Sequence, residues 1–454
     1  QEERLLDELR DARAEFAAAH AAIRSVSPLY RLAVGADLQP VSLDRLAQYV
    51  NPQQALLLEY LLGDEGGYVL VLPAGGPPRL AALTVEPAQA ERLGVEPGPL
   101  TAERMAAILR REDGTGVLQR MRHPDAAREA TGQLAALWEV LVPEPERKAI
   151  LDERYRRLIV VPDTALAQLP FETLVVSTTE PAWYLLEAGP PIVVAPSASL
   201  LVNLAARQDE AKKPAEQPVL SIGDCVYGAP AKAGDGELLS ALSPRNRYSG
   251  VGGQLDPLEY AGAEIDAVGR SFRDQKIRVA TLRGKTAREQ PVRQYGPGRR
   301  VLHFATHAVV DEAYGNLFGA LALTPGSKPD NAADDGLLTL AEVVELELAG
   351  CRLTILSACD TNAGPEQRGE GVVSLARGFL VAGSQRVVAT QWRVADEATA
   401  RLVGRFCELT AAAESADGEA DYAKSLCESR RWLRRQPGYE SPFFWAPFVL
   451  IGPP

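Results

Sequence analysis

Two segments of the chain end on residues able to do nucleophilic chemistry. Val301-Leu-His-Phe-Ala-Thr-His-Ala308 carries His307, and Leu353-Thr-Ile-Leu-Ser-Ala-Cys-Asp-Thr361 carries Cys359, 52 positions later. Each segment reads as a buried strand with a reactive residue at its mouth. A free thiol titrates at about 8.5, so it is mostly protonated at neutral pH. An imidazole beside it can take the proton and return it to a leaving group. His303 shares a strand face with Ala305 and His307 but starts deeper, which predicts a core histidine. Ala308, Ser357 and Ala358 are small and leave room for a substrate backbone. The N–H groups of Ala308 and Cys359 could face a developing oxyanion, where losing one donor typically costs about 10²–10³ in rate.

A second reading of the same residues stays open. A buried thiol and a satisfied histidine can end two strands without meeting. Other chemistries fit less well. His303 and His307 have the spacing that binds zinc on a helix, but the segment is a strand and lacks the Glu of H-E-x-x-H. There is no GxxxxGK[ST] and no GxSxG. Gly250-Val-Gly-Gly253 follows polar residues, so it reads as a turn and not a nucleotide loop.

The elements that must position the pair alternate along the chain. Residues 55–62, 68–73 and 80–85 read as strands between Gly and Pro turns. Residues 101–111 and 124–142 read as helices. Leu158–Pro162 is a continuous apolar run, as expected of a strand covered on both faces. Residues 207–218 (RQDEAKKPAEQP) are charged and nearly free of large apolar side chains, which predicts a linker. Beyond it, strands at 219–222, 277–281, 301–306, 353–357, 386–390 and 448–451 alternate with helices. The helices are placed at 260–272, 287–295, 340–348, 372–382, 396–410 and 422–434. Such alternation predicts a mainly parallel sheet, with reactive groups at the carboxyl ends of its strands. The polar, Gly-rich stretch 360–371 predicts an active-site loop. At the start, Leu5, Leu9, Ala12, Phe16, Ala19 and Ile23 repeat at helical spacing. That helix could cap its own domain or end an upstream helical array.

Composition bounds the partners. The 454 residues suggest two or three domains, and a net charge of −12 argues against nucleic acid as the main ligand. No apolar run approaches the ~18 residues that span a membrane. Five cysteines, an odd number, all lie in the second half, so a reducing, cytoplasmic setting is expected rather than a disulfide framework.

Further ordered blocks resemble a known family. H-F-A-T-H-A at 303–308, L-S-A-C-D-T at 356–361, Gly369-Glu-Gly371 and the segments 374–383, 387–396 and 444–452 look like a CHAT domain. So do 160–174, 196–200 and Leu57-Leu-Glu-Tyr60. CHAT domains are caspase-like, separase-related (clan CD) peptidases often found behind tetratricopeptide repeats. The resemblance implies an α/β, caspase-like three-layer α/β/α sandwich with tandem halves. A helix at 1–30 would end a repeat array, 31–206 would be a pseudo-protease half, 207–218 the linker and 219–454 the active half. It implies a cysteine endopeptidase with His307 as base, Cys359 as nucleophile and the amides of Ala308 and Cys359 as oxyanion donors. Asp360, Glu370 and Trp392 are substrate-binding candidates, and Asp360 could line a P1 pocket or cap its loop. Ala308 and Asn362 stand where the family usually has Gly. No metal and no cofactor is implied. The expected partners are a protein substrate and an activating protein or complex held by an upstream helical region, in a bacterial signalling or defence setting. The alternatives are a silent protease-like scaffold and a glutaminase-like amidohydrolase.

Overall fold

The structure is a computed structural model. It describes residues 40–206, 214–227, 255–310, 316, 319–326, 334–362, 364, 366–367, 371–372, 374–393, 395–417 and 420–454. The expected N-terminal helix, most of the linker and Glu370 lie outside the described residues.

Two kinds of strand build the sheet. The first half supplies β1 (Ala55–Leu62), β2 (Gly67–Pro73), β3 (Arg79–Val85), the two-residue β4 (Gly98–Pro99), β5 (Arg157–Val161) and β6 (Ile192–Val194). The second half supplies β7 (Val219–Gly223), β8 (Val279–Arg283), β9 (Val301–Ala305), β13 (Leu353–Ser357), β14 (Val387–Thr390) and β15 (Phe448–Ile451). Every residue of β5, β7, β9, β13, β14 and β15 is buried. Continuous Val, Ile and Leu runs suit strands covered on both faces. β1 to β3 instead pair antiparallel, and β3 leaves Leu80 67% exposed.

All twelve form one sheet in the order β8-β7-β9-β13-β14-β15-β6-β5-β1-β2-β3-β4. β8, β7, β9, β13 and β14 run parallel. The expected parallel sheet is therefore present, with β15 inserted antiparallel to β14. β15 is also the seam, because Ile451 pairs with Val194 of β6 and Gly452 N–H donates to Val194 O at 3.0 Å. The halves thus share one sheet rather than sitting side by side.

Three further strands, β10 (His307–Val309), β11 (Ala320–Ala322) and β12 (Leu337–Thr339), form a separate antiparallel sheet. The expected strand 301–306 therefore continues, after Thr306, into a different sheet. Helices cross the seam as well. Helix α1 (Tyr422–Arg434) of the second half holds buried Arg430, which pairs with buried Glu172 of the first half. Its N-cap Asp421 makes a two-pronged contact with Arg157 of β5, at 2.6 and 3.2 Å. Bidentate Arg–carboxylate geometry gives directional as well as energetic coupling.

Candidate active site

The site grows from the register of β9 and β13. Ala305 pairs with Ser357, and Thr306 N–H still donates to Ser357 O at 3.3 Å. Parallel neighbours run about 4.8 Å apart. Two residues beyond that pair, past Thr306 and Ala358, stand His307 and Cys359, so both follow the carboxyl ends of neighbouring parallel strands. Gly223 ends β7 against Ala305, where a Cβ would collide with the Ala305 carbonyl. Glycine there lets β7 approach closely beneath the histidine.

His307 is half-buried, and its tautomer follows from one contact. Nε2 lies 2.8 Å from the backbone O of Asp256. A carbonyl only accepts, so Nε2 carries the proton and Nδ1 of the neutral ring is the basic atom. The segment 256–260 is held in turn, because Tyr260 N–H donates to Asp396 Oδ2 at 2.7 Å. Burial pushes the Asp396 carboxyl up, while that bond and the His307 imidazole work against it. The Tyr227 ring packs 5.1 Å from the imidazole, and its hydroxyl accepts from His307 N–H at 3.3 Å.

Cys359 is the thiol set apart from the others. Cys225, Cys351, Cys407 and Cys427 are buried, and Cys359 is half-buried. Burial pushes the Cys225 thiol up to about 12 and the Cys427 thiol up to about 11. It raises Cys351 and Cys407 as well. Thiols held protonated in apolar surroundings are inert. The turn after Cys359 passes through Asp360 at φ 55°, a left-handed conformation Asp tolerates better than most residues. Thr390, ending β14, anchors that turn: its hydroxyl donates to Ala358 O, and Asn362 N–H donates to Thr390 O at 2.9 Å. Asn362, which stands where the family usually has Gly, is 7% exposed and accepts from the Ser374 hydroxyl at 3.3 Å. Its side chain pins the turn to the following helix.

The Ala308 amide is placed by β11. Leu323 N–H donates to Gly336 O and Leu340 N–H to Gly319 O, both at 2.7 Å. Residues 319, 321 and 323 therefore turn their polar groups toward β12. By the alternation of an antiparallel ladder, 320 and 322 turn theirs toward β10. Ala308 stands opposite Leu321 in that ladder.

His303 is fully buried between Ser221 Oγ at 2.8 Å and Glu264 Oε1 at 2.7 Å. The order Ser–His–Glu resembles a hydrolase chain, but all three are enclosed in the core, as expected of a structural histidine. Trp392 is a correction: it is 1% exposed and spends its indole N–H on Phe443 O at 3.2 Å, so it is a core side chain and not a substrate-facing one. Asp360 sits at the mouth, 3.9 Å from Arg122 Nη2. Sequence reading missed the Asp256 carbonyl, Tyr227, Asp396 and Arg122. A backbone acceptor leaves no signature in residue type, and single surface arginines are too common to stand out. Among the described residues no cluster of metal-ligating side chains occurs, and no helix is long and apolar enough to cross a membrane.

Comparison with known proteins agrees with the blocks that carry the resemblance. The profile of the CHAT domain matches residues 131–453. Human tetratricopeptide repeat protein 28 is 25% identical over 372 residues, covering 75% of this chain and 14% of its own length. The mouse protein of the same name is 31% identical over 116 residues, 26% of this chain and 4% of its own. The chain thus spans a small fraction of these relatives. Among solved structures, the Arg-specific cysteine proteinase gingipain R is 10% identical with a TM-score of 0.42, covering 80% of this chain and 72% of that one. The Saccharomyces cerevisiae separase–securin complex is 10% identical with a TM-score of 0.47, covering 95% of this chain and 33% of that one. With a family profile running through both halves of the sheet and across both reactive strand ends, the chain belongs to the CHAT domain family.

Proposed function

We propose that the protein is a cysteine endopeptidase working through His307 and Cys359. The observation that carries the reading is that β9 and β13 are parallel neighbours, with His307 and Cys359 each two residues beyond the Ala305–Ser357 pair and His307 Nε2 donating to Asp256 O. Nδ1 of His307 takes the thiol proton. The Cys359 sulfur attacks the scissile carbonyl carbon, and the amides of Ala308 and Cys359 hold the oxyanion. The oxyanion collapses, the C–N bond breaks, and His307 gives its proton to the leaving amine. Water then hydrolyses the thioester with the same imidazole as base. The first half acts as a pseudo-protease half: its cysteines number zero, and it buttresses the active half through the shared sheet. An upstream helical region, where present, brings the activating partner or the substrate protein.

Comparing new N-termini in a proteome treated with wild-type protein and with Cys359→Ala tests this. Cys359→Ala and His307→Ala each remove cleavage by about 10³-fold or more while thermal unfolding stays unchanged. Equal cleavage by Cys359→Ala would sink the reading. A second reading, a protein-binding scaffold, draws on the match to a tetratricopeptide repeat protein. A scaffold leaves Cys359 no more reactive toward iodoacetamide than the four buried thiols, whereas the peptidase labels there first. Release of ammonia from glutamine with protein substrates left whole would mark an amidohydrolase instead.

A further inference from the structure

Three arginines, Arg122, Arg393 and Arg110, act on Asp360 beside Cys359, in a chain whose net charge is −12. Asp360, next to Cys359, has its Oδ1 3.9 Å from Arg122 Nη2. Arg122 is the C-terminal cap of the short helix Val117–Met121 in the first half, and the same nitrogen reaches Gln391 O at 3.5 Å. Arg110 caps the helix Ala102–Leu109 and donates to Gln168 Oε1. Gln391 Nε2 donates to Ala167 O at 2.9 Å, which stitches that region to the end of β14. Arg393 follows two residues later. Because β14 is the parallel neighbour of β13, residues 391–393 emerge beside 358–360.

Burial pushes the Asp360 carboxyl up, and Arg122, Arg393 and Arg110 pull it down, in that order. The described charges that act on it are thus all guanidinium groups. Asp360 answers one of them. Arg110 and Arg393 are exposed, and the bond found for Arg110 goes to a neutral amide. A Lys or Arg side chain of a substrate would reach Asp360 only past like charges. A carboxylate would meet a rigid fork of donors suited to it.

Resting on the peptidase reading, we infer that the site selects a polypeptide with an acidic side chain, Asp or Glu, beside the scissile bond. Arg110 and Arg393 receive that carboxylate, and Arg122 stays paired with Asp360. The first half therefore contributes to substrate selection as well as support, and Asp360 is not the acceptor of a basic P1 side chain.

Randomised octapeptide libraries test this in two arms. In the first, immobilised Cys359→Ala protein retains peptides, so binding is read without cleavage. Peptides with Asp or Glu at one position are enriched about tenfold or more over Asn and Gln there. Enrichment falls toward unity in the Arg110→Gln/Arg393→Gln background, whose thermal unfolding is unchanged. It also weakens as salt rises from about 0.05 to about 0.3 M. Enrichment of Lys, Arg or apolar residues, or none, overturns the inference. In the second arm, wild-type protein cleaves the same library. Cleavage without acidic preference removes this inference and keeps the peptidase reading. Acidic enrichment in the first arm without cleavage in the second keeps this surface and removes the peptidase reading.

Discussion

Thr390 holds the nucleophile turn from several directions. Its hydroxyl donates to Ala358 O and accepts Thr361 N–H at 3.3 Å, and its own N–H donates to Thr361 Oγ1 at 2.9 Å. It is fully buried, so each orphaned group it leaves would cost about 1–3 kcal/mol. Thr390→Val keeps the shape and removes the hydroxyl. The expected result is a loss of about 1–3 kcal/mol of stability and alkylation of Cys359 slowed about tenfold. Thr390→Ser restores both. Denaturant titration and the rate of iodoacetamide labelling read the two effects separately. An unchanged labelling rate in Thr390→Val would mean that the turn is shaped without its anchor. Cys359 and His307 stood out in the sequence as candidates because their side chains advertise their chemistry. The partner that fixes the imidazole, a main-chain carbonyl at Asp256, could only be seen once the chain had folded back on itself. Trp392 misled because its place in a block that resembles the family does not say which way an indole points, and it points into the core.

At the level of elements, the helix Glu289–Tyr295 carries a carboxyl into the core beside the small β10–β11–β12 sheet. Glu289 is fully enclosed and accepts Gly336 N–H at 2.5 Å. Burial pushes its pKa to about 8, and Asp335 and Glu342 push the same way. A carboxyl raised in the folded state contributes its full stability below the ordinary value of 4.5 and loses it as pH rises through about 8. Between about pH 6 and about pH 9 the wild type should lose on the order of a few kcal/mol that Glu289→Gln retains. Urea titrations of both proteins at the two pH values check this; parallel losses would show that the group titrates normally. The long apolar strands were readable from the sequence, because runs such as Leu353–Ser357 need no context to be recognised. β11 and β12 were not, since three residues hold no measurable period. Val279–Arg283 was anticipated two residues early, at 277–281, because Ile277 and Val279 are both apolar and the register is fixed only by pairing with β7. The helix from Asp396 runs on to Asp417, past the expected 410, since Ala411, Ala412 and Ala413 favour helix without adding a new apolar stripe.

On the scale of the whole molecule, the twelve-stranded sheet makes the two halves one folding unit. β15 pairs with β14 on one side and β6 on the other, and Trp445 and Phe448 lie fully buried in the core cluster that includes first-half residues. Removing residues 448–454 opens two sheet edges at once. The expected outcome is loss of the cooperative transition and association through the bared strands, read by thermal unfolding and light scattering. A truncated protein that still melts in one step and stays monomeric would contradict the shared-sheet account. The linker expected at 207–218 marks a change of composition, but the strand that joins the two half-sheets, Phe448–Ile451, comes 230 positions after its end (448 − 218), and helix Tyr422–Arg434 adds ion pairs across the same seam.

That seam also has a consequence for the order of synthesis. The ribosome makes the first half, then His307, then Cys359, and only afterwards the strand that locks the two half-sheets together. A nascent chain holds both reactive residues well before it holds the strand that closes the structure around them. Translation order thereby puts the completion of the sheet after the synthesis of both residues that stand at its carboxyl edge.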